Sequence, residues 1–251
     1  MIHRIVPELP TTAWRTLEPL SFSVAEQQKK QECYLCGKLP AETPEGKLTR
    51  EHLPPQNLFL EPRPSNLITV PCCNACNNGA SEDDDYLRLA VSGYYNHDEL
   101  GKQTWTKKVL GSTMRKKRLQ KEIAAFSNSL KRIALITPQG VEDAFDGRLE
   151  GARMERSVTR LTKGFLGLLY PGVDRTELKF QVAQLDPFKV NDPVFAQARS
   201  ILTHFQRGKG AFRCWHAVQS YSHTGMWVYM FFSSFWFLVS HSSDRKIVPP
   251  W

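Results

Sequence analysis

The chain has no apolar run long enough to cross a bilayer, no phosphate-binding P-loop, no internal repeat and no low-complexity tract. Its longest apolar stretch, Met226 to Ser240 (MWVYMFFSSFWFLVS), falls short of the roughly 20 residues that a membrane helix needs. That stretch is aromatic and β-branched, with Ser233 and Ser234 in its middle, which suits paired buried strands. The opening residues, MIHRIVPELP, contain no apolar signal core, so the expectation is a cytoplasmic protein without membrane contact. Acidic side chains are in short supply: 25 Asp and Glu stand against 33 Lys and Arg, a formal net charge of +8. Such a balance favours an anionic partner, nucleic acid first. Wholesale disorder is excluded, because 41% of the 251 residues are hydrophobic and 11% aromatic. The length fits one large domain, or a small one followed by a larger one.

Cysteine is also scarce, but it is not scattered. Of six cysteines, five lie between Cys33 and Cys76, and only Cys214 stands apart. A disulfide framework would usually accompany an export signal and a small chain, and neither is seen. The spacings Cys33-Tyr-Leu-Cys36 and Cys73-Asn-Ala-Cys76 instead form two tight knuckles. Two thiolates on each complete a tetrahedral Zn²⁺ site. Cys72 could replace Cys73 with a longer spacing, but the symmetry of the two CxxC pairs favours Cys73, leaving Cys72 as a small buried hydrophobe. Cys214, in the strand-like run FRCWHAVQ, reads as core.

The segment between the knuckles is longer than a simple zinc ribbon needs. It carries Thr49-Arg50-Glu51-His52-Leu53-Pro54-Pro55 and then Asn66-Leu67-Ile68-Thr69-Val70-Pro71, and Asn77 directly follows Cys76. Glu51 and His52 are neighbours on an extended segment, so their side chains point to opposite faces. The run LITV is a short strand, and from Asn74 to about Val91, before Gly93, the pattern is helical. The order is therefore strand, loop, strand, helix, pinned by zinc.

These residues resemble the HNH endonucleases, which have a ββα-metal fold. The resemblance rests on CxxC, Glu-His-x-x-Pro, Asn-Leu and CxxC-Asn in that order, and it covers roughly residues 31 to 92. It implies that His52 is the general base acting on water, and that Asn66 ties the loop and orients that base. It implies that Glu51 and Asn77 hold a catalytic divalent ion, Mg²⁺ or Mn²⁺, while Cys33, Cys36, Cys73 and Cys76 hold structural zinc. Such chemistry is consistent with the residue types. Imidazole accepts a proton near neutrality, and hard divalent ions prefer oxygen ligands. Two departures stand out: the acidic position is Glu rather than the commoner Asp, and the segment from Asn66 to Cys73 is slightly long. The run Ser81-Glu82-Asp83-Asp84-Asp85 reads as a solvated face or a helix restart.

From Thr106 to Arg132 nine basic residues oppose Glu122 alone, a local net of +8 equal to that of the whole chain. Leu119, Ile123, Phe126, Leu130 and Ile133 recur at helical spacing, which predicts one amphipathic helix with a basic face. Lys107, Lys108, Arg115, Lys116, Lys117, Arg118 and Lys121 are its candidate phosphate contacts. Farther on, helices are expected over 153–170 and 193–205. Strands are expected at Phe180–Leu185, Ala211–Gln219, Met226–Phe232 and Phe235–His241. In this C-terminal part the five tryptophans at 105, 215, 227, 236 and 251 read as core, and His204, His216, His223 and His241 as structural or exposed.

The expected class is α+β: a small zinc-stabilised ββα-metal module, then a larger α+β domain ending in an antiparallel sheet. The expected division is an N-terminal arm at 1–30, a nuclease module at 31–95 and a binding or regulatory domain at 96–251. By its resemblance the protein is expected to cut DNA, with defence against foreign DNA as a setting and a partner such as an ATPase as a possible controller. The rival expectation is a zinc-stabilised nucleic-acid-binding module without catalysis.

Overall fold

The computed structural model describes residues 32–65, 67–93, 98–111, 116–137, 140–171, 173, 175, 177–185, 193–219 and 223–243. The expected N-terminal arm, Asn66, Arg115 and Trp251 lie outside these. The architecture is mixed α and β. Strands β1 (Thr49–Leu53) and β2 (Ile68–Cys72) form an antiparallel hairpin in which Glu51 faces Val70 and His52 faces Thr69. Helix α1 (Asn74–Ser92) follows at once and stops at Gly93. The expected strand–loop–strand–helix order thus holds.

Helix α2 (Glu99–Thr104) runs into a π-helical turn, Trp105–Leu110, and α3 spans Lys117–Ser129. The single amphipathic helix expected over 106–132 is therefore broken. Leu119 on α3 is fully buried, with Ile123 packed beside it. Leu130 ends the helix in an extended conformation, and β3 (Lys131–Thr137) pairs with β4 (Gly140–Asp146) in an antiparallel hairpin. Helical periodicity cannot register such a change, because pairing with β4 decides it.

Helix α4 (Gly151–Leu169) and strand β5 (Lys179–Leu185) lead to α5 (Pro193–Ser200) and strands β6 (Thr203–Arg207), β7 (Phe212–Gln219), β8 (Thr224–Phe231) and β9 (Phe235–Ser242). The helix expected over 193–205 is shorter, since its last residues form β6. The five strands make one antiparallel sheet in the order β5-β9-β8-β7-β6. One face, with Phe212, Tyr229 and Phe237, packs on Val158, Leu161 and Phe165 of α4. The other, with Val228, Met230, Trp236 and Leu238, meets Phe195 of α5. Both faces are covered, which is why the run from Met226 to Ser240 is apolar almost throughout instead of alternating. Trp227 and Trp236 belong to this core, as does Cys214.

The hairpin, α1, α4 and the sheet share one continuous core, which crosses the boundary expected at residue 95. Two close approaches show how tightly the parts fit. A Cβ on Gly164 of α4 would come within 2.2 Å of Leu53, and one on Gly208, at φ +62°, within 2.3 Å of Phe59. No helix among the described residues is long and apolar enough to cross a membrane.

Candidate active site and metal centre

The first knuckle begins at Cys33, whose carbonyl accepts from the Gly37 N–H at 2.8 Å with Gly37 at φ +72°. The Tyr34 N–H donates to the Pro71 carbonyl of β2 at 3.0 Å, tying this knuckle to the second. Cys73 caps α1, its sulfur accepting from the Cys76 N–H. The sulfurs of Cys33, Cys36, Cys73 and Cys76 all lie within 4.8 Å of one another, and those of Cys36 and Cys73 are 3.8 Å apart. Four thiolates around zinc at about 2.3 Å define a tetrahedron with edges of about 3.8 Å, so the donor set and its spacing fit Zn²⁺. A hydrogen bond from the Cys72 thiol holds the Cys33 thiol below its ordinary range, while Cys72 itself is pushed up. Cys72 is fully buried beside the cluster and is not one of the four.

Glu51 and His52 face opposite sides of β1, as expected. His52 is half-buried. Burial, reinforced by Arg63, holds its imidazole below the ordinary histidine range, and Glu51 opposes this only in part. The ring is therefore neutral at neutral pH and able to accept a proton. Asn77, on the first turn of α1, donates to the Thr49 hydroxyl at 3.1 Å, and that hydroxyl donates to the Cys72 carbonyl at 2.8 Å. Thr49 and Glu51 are two residues apart, hence on one face of β1. The hairpin thus brings Glu51 and Asn77 to the same side, facing α1. The expected role of Asn66 falls outside the described residues.

Glu51 is not open to an ion as it stands. It is only 4% exposed, and Arg160 of α4 reaches it with Nε 3.0 Å from Oε1. The same guanidinium contacts Asp84 through Nη2. Tyr34 lies beside Glu51, with its buried hydroxyl turned to that carboxylate. Burial pushes the Asp84 carboxyl up to about 6, against the pull of Arg160 and with a further push from Glu51. The centre is a buried cation between two carboxylates, and the residues as placed do not offer Mg²⁺ or Mn²⁺ a pair of open oxygens.

In the acidic run on α1, Ser81 and Glu82 are exposed, but Asp83, Asp84 and Asp85 are drawn into ion pairs and are not a solvated face, which corrects the expectation for those three. Asp83 receives Arg153 at 3.0 Å and Arg156 at 2.8 Å, Asp84 receives Arg160, and Asp85 is 6% exposed with Arg88, Lys116 and Arg118 around it. Arg153 also pairs with Glu122 at 3.0 Å and lies over the Tyr86 ring. Two of the residues expected to meet phosphate, Lys116 and Arg118, are thereby engaged with Asp85, and Arg118 with Glu82 as well. Lys107, Lys117 and Lys121 are exposed.

Sequence reading missed Arg160, Asp84, Tyr34 and Arg63. A signal was present for the first two: Arg153, Arg156 and Arg160 recur at helical spacing, and so form a basic stripe able to meet the acids of α1. Set against known families, curated proteins and solved structures, the chain matches none.

Proposed function

We propose that the chain is a metal-dependent endonuclease of the HNH type that hydrolyses DNA phosphodiesters, with His52 as its general base. The observation that carries the reading is a neutral, half-exposed imidazole on β1, back to back with a buried carboxylate, inside a hairpin–helix unit that four cysteines pin together. Hydrolysis needs a water deprotonated at working pH, and a depressed imidazole can take that proton without already carrying one. Thr49 and Asn77 fix β1 against α1, so the ring is held on a rigid element and not on a loop. Zinc, bound by four thiolates, keeps no open position and serves the fold. The divalent ion that the resemblance implies sets one requirement: Arg160 must yield Glu51 before that carboxylate can act as a ligand.

The test is cutting of plasmid DNA with added Mg²⁺ or Mn²⁺. His52→Ala should lose about 10²–10⁴-fold in rate. Zinc content, circular dichroism and DNA affinity should stay near those of the parent, because a half-exposed ring serves the water and not the core. Cutting by His52→Ala at the parental rate would sink the mechanism. A second reading, a zinc-stabilised nucleic-acid-binding module, is favoured by the Glu51–Arg160 pair, which leaves the carboxylate engaged. It gains if the parent binds DNA but cuts none under any of these conditions.

A further inference from the structure

From Pro193 to Ser243 the chain contains no Asp or Glu, although these make up 25 of its 251 residues. Arg207, Lys209 and Arg213 all fall in the hairpin of β6 and β7, which therefore carries cations and no acid of its own. An acid-free surface with fixed cations suits a polyanion. The outward face of this hairpin also presents flat rings. Trp236 of β9 stacks on Trp215 of β7, with centroids 5.6 Å apart and planes 20° from parallel. Trp215 stacks in turn on His204 of β6, at 4.9 Å and 30°. The strand order β9-β8-β7-β6 puts the two partners on opposite sides of Trp215, so the three rings form a column. Its inner end is closed: Trp236 is 5% exposed, and Phe195 and Arg199 of α5 lie against it. Its outer end, His204, is exposed on the edge strand. Gln206 and Arg213 form a cross-strand pair two residues along from His204 and Trp215, hence on the same face. They meet at the β6–β7 turn, where a Cβ on Gly210 would stand 3.3 Å from Arg213 Nη2 and 3.8 Å from Gln206 Oε1. Among the described residues Arg213 Nε completes no hydrogen bond, and no carboxylate pairs with Arg213 or with the exposed Lys209. The same turn reaches the hairpin of His52, since Gly208 sits against Phe59 and Pro64 of the β1–β2 connection.

We propose that the outward face of the β6–β7 hairpin binds a single-stranded segment of DNA, with an unpaired base stacked on His204 and the neighbouring phosphates held by Lys209 and Arg213. The inference rests on the nuclease reading and names the form of DNA that the protein grips, and where. A base is flat and continues the column of rings as its next member. Stacking on a side chain needs a base whose face is free, which an unpaired strand offers. A duplex keeps its base faces within its own stack and can give this surface phosphates alone. Arg213 offers a phosphate the fork of a guanidinium, and the Gln206 amide brings both a donor and an acceptor to the same corner. Burial, and then the charge of Arg213, hold the His204 imidazole below its ordinary range, so the ring meets the base uncharged. The seat lies on the sheet and not on α3, where the sequence alone put the phosphate contacts.

The test is the anisotropy of a fluorescein-labelled single-stranded oligonucleotide, and of the duplex of the same sequence, across a salt series without added divalent ions. Every protein carries His52→Ala, so no substrate is consumed. His204→Ala should weaken single-strand binding about fivefold or more, the loss of one stacked base, and change duplex affinity by less than about twofold. His204→Phe, which keeps a ring and adds no charge, should bind the single strand as the parent does. Lys209→Asn/Arg213→Gln should flatten the single-strand salt slope by about 1.4, for two lost phosphate contacts. If Arg213→Gln lowers the melting temperature, Lys209→Asn alone should give about half that change. The control Lys102→Gln/Lys131→Gln removes the same charge from exposed positions on α2 and β3 and should leave affinity within about threefold. Four results overturn the platform: a parent that does not bind the single strand, parental binding by His204→Ala, equal losses on single strand and duplex, or an equal loss in the control. Catalysis reads separately: a parent that cuts no DNA ends the nuclease reading, while the anisotropy series still decides the platform.

Discussion

At the scale of single residues, the most consequential side chain is one the resemblance does not mention. Arg160 joins Glu51 of β1 to Asp84 of α1 from a third element, and all three are largely withdrawn from water. A buried ion pair contributes little net stability compared with a well-packed apolar group, but removing one partner leaves an uncompensated charge. Arg160→Met should therefore destabilise by about 3–5 kcal/mol at neutral pH, measured by urea unfolding. The loss should shrink as pH falls, because Asp84, which already sits at about 6 with the arginine in place, can then fold as a neutral acid. Adding Glu51→Gln to Arg160→Met should recover part of the loss at pH 7, since it removes one of the two stranded charges. A single Arg160→Met variant as stable as the parent at pH 7 would show that the carboxylates find other partners.

At the scale of elements, the two knuckles do different work. Cys33 and Cys36 hold a loop, whereas Cys73 is both one of the four cysteines placed to hold a metal ion and the cap of α1. Cys73→Ser should take zinc content from one per chain toward zero and loosen the start of α1, seen as faster amide exchange over residues 74–80. A structural zinc supplies on the order of 10 kcal/mol to a small module. Here α1 also packs on α4 through the shared core, so α4 should keep its protection. Equal loss of protection in both helices would mean that zinc supports the whole fold. The parts legible in sequence are the ones whose causes are local: the CxxC spacings, the LITV strand, the apolar spacing of α1 and the aromatic strands of the sheet. What escaped depends on partners far along the chain. Asp83 and Asp84 looked solvated because the arginines that bury them lie 70 or more positions away. The basic run looked like one helix because the pairing of β3 with β4 leaves no mark in a helical count. Glu51 looked available to an ion because nothing near it in sequence announces Arg160.

At the scale of the whole molecule, the sheet and α4 enclose two imidazoles that bear on how the protein meets acid. His216 and His241 are 4% and 1% exposed, and burial holds each at about 4, below the ordinary 6.5. His216 stacks on Trp227 and its Nδ1 meets the Tyr170 hydroxyl, while His241 Nδ1 meets the His223 carbonyl. Both are neutral in the folded chain at neutral pH. In the unfolded chain they take up protons as pH drops below about 6.5, so over that interval the unfolded state binds more protons and stability falls with pH. Above about pH 7.5 neither ring contributes appreciable slope. The gap between 6.5 and 4 corresponds to about 3 kcal/mol per ring once both states are protonated. Melting temperature should accordingly be nearly flat from pH 8.5 to about 7.5 and decline with growing slope from there toward pH 4. Loss of zinc from protonated thiols would add to the decline, so the assignment comes from a difference. His216→Phe keeps an aromatic ring on Trp227 and cannot take up a proton. Its stability should fall less steeply than the parent's between pH 6.5 and 5, even if it starts lower for want of the Tyr170 contact. Parallel slopes in parent and variant would place the acid sensitivity outside His216, with the zinc thiolates as the next group to examine.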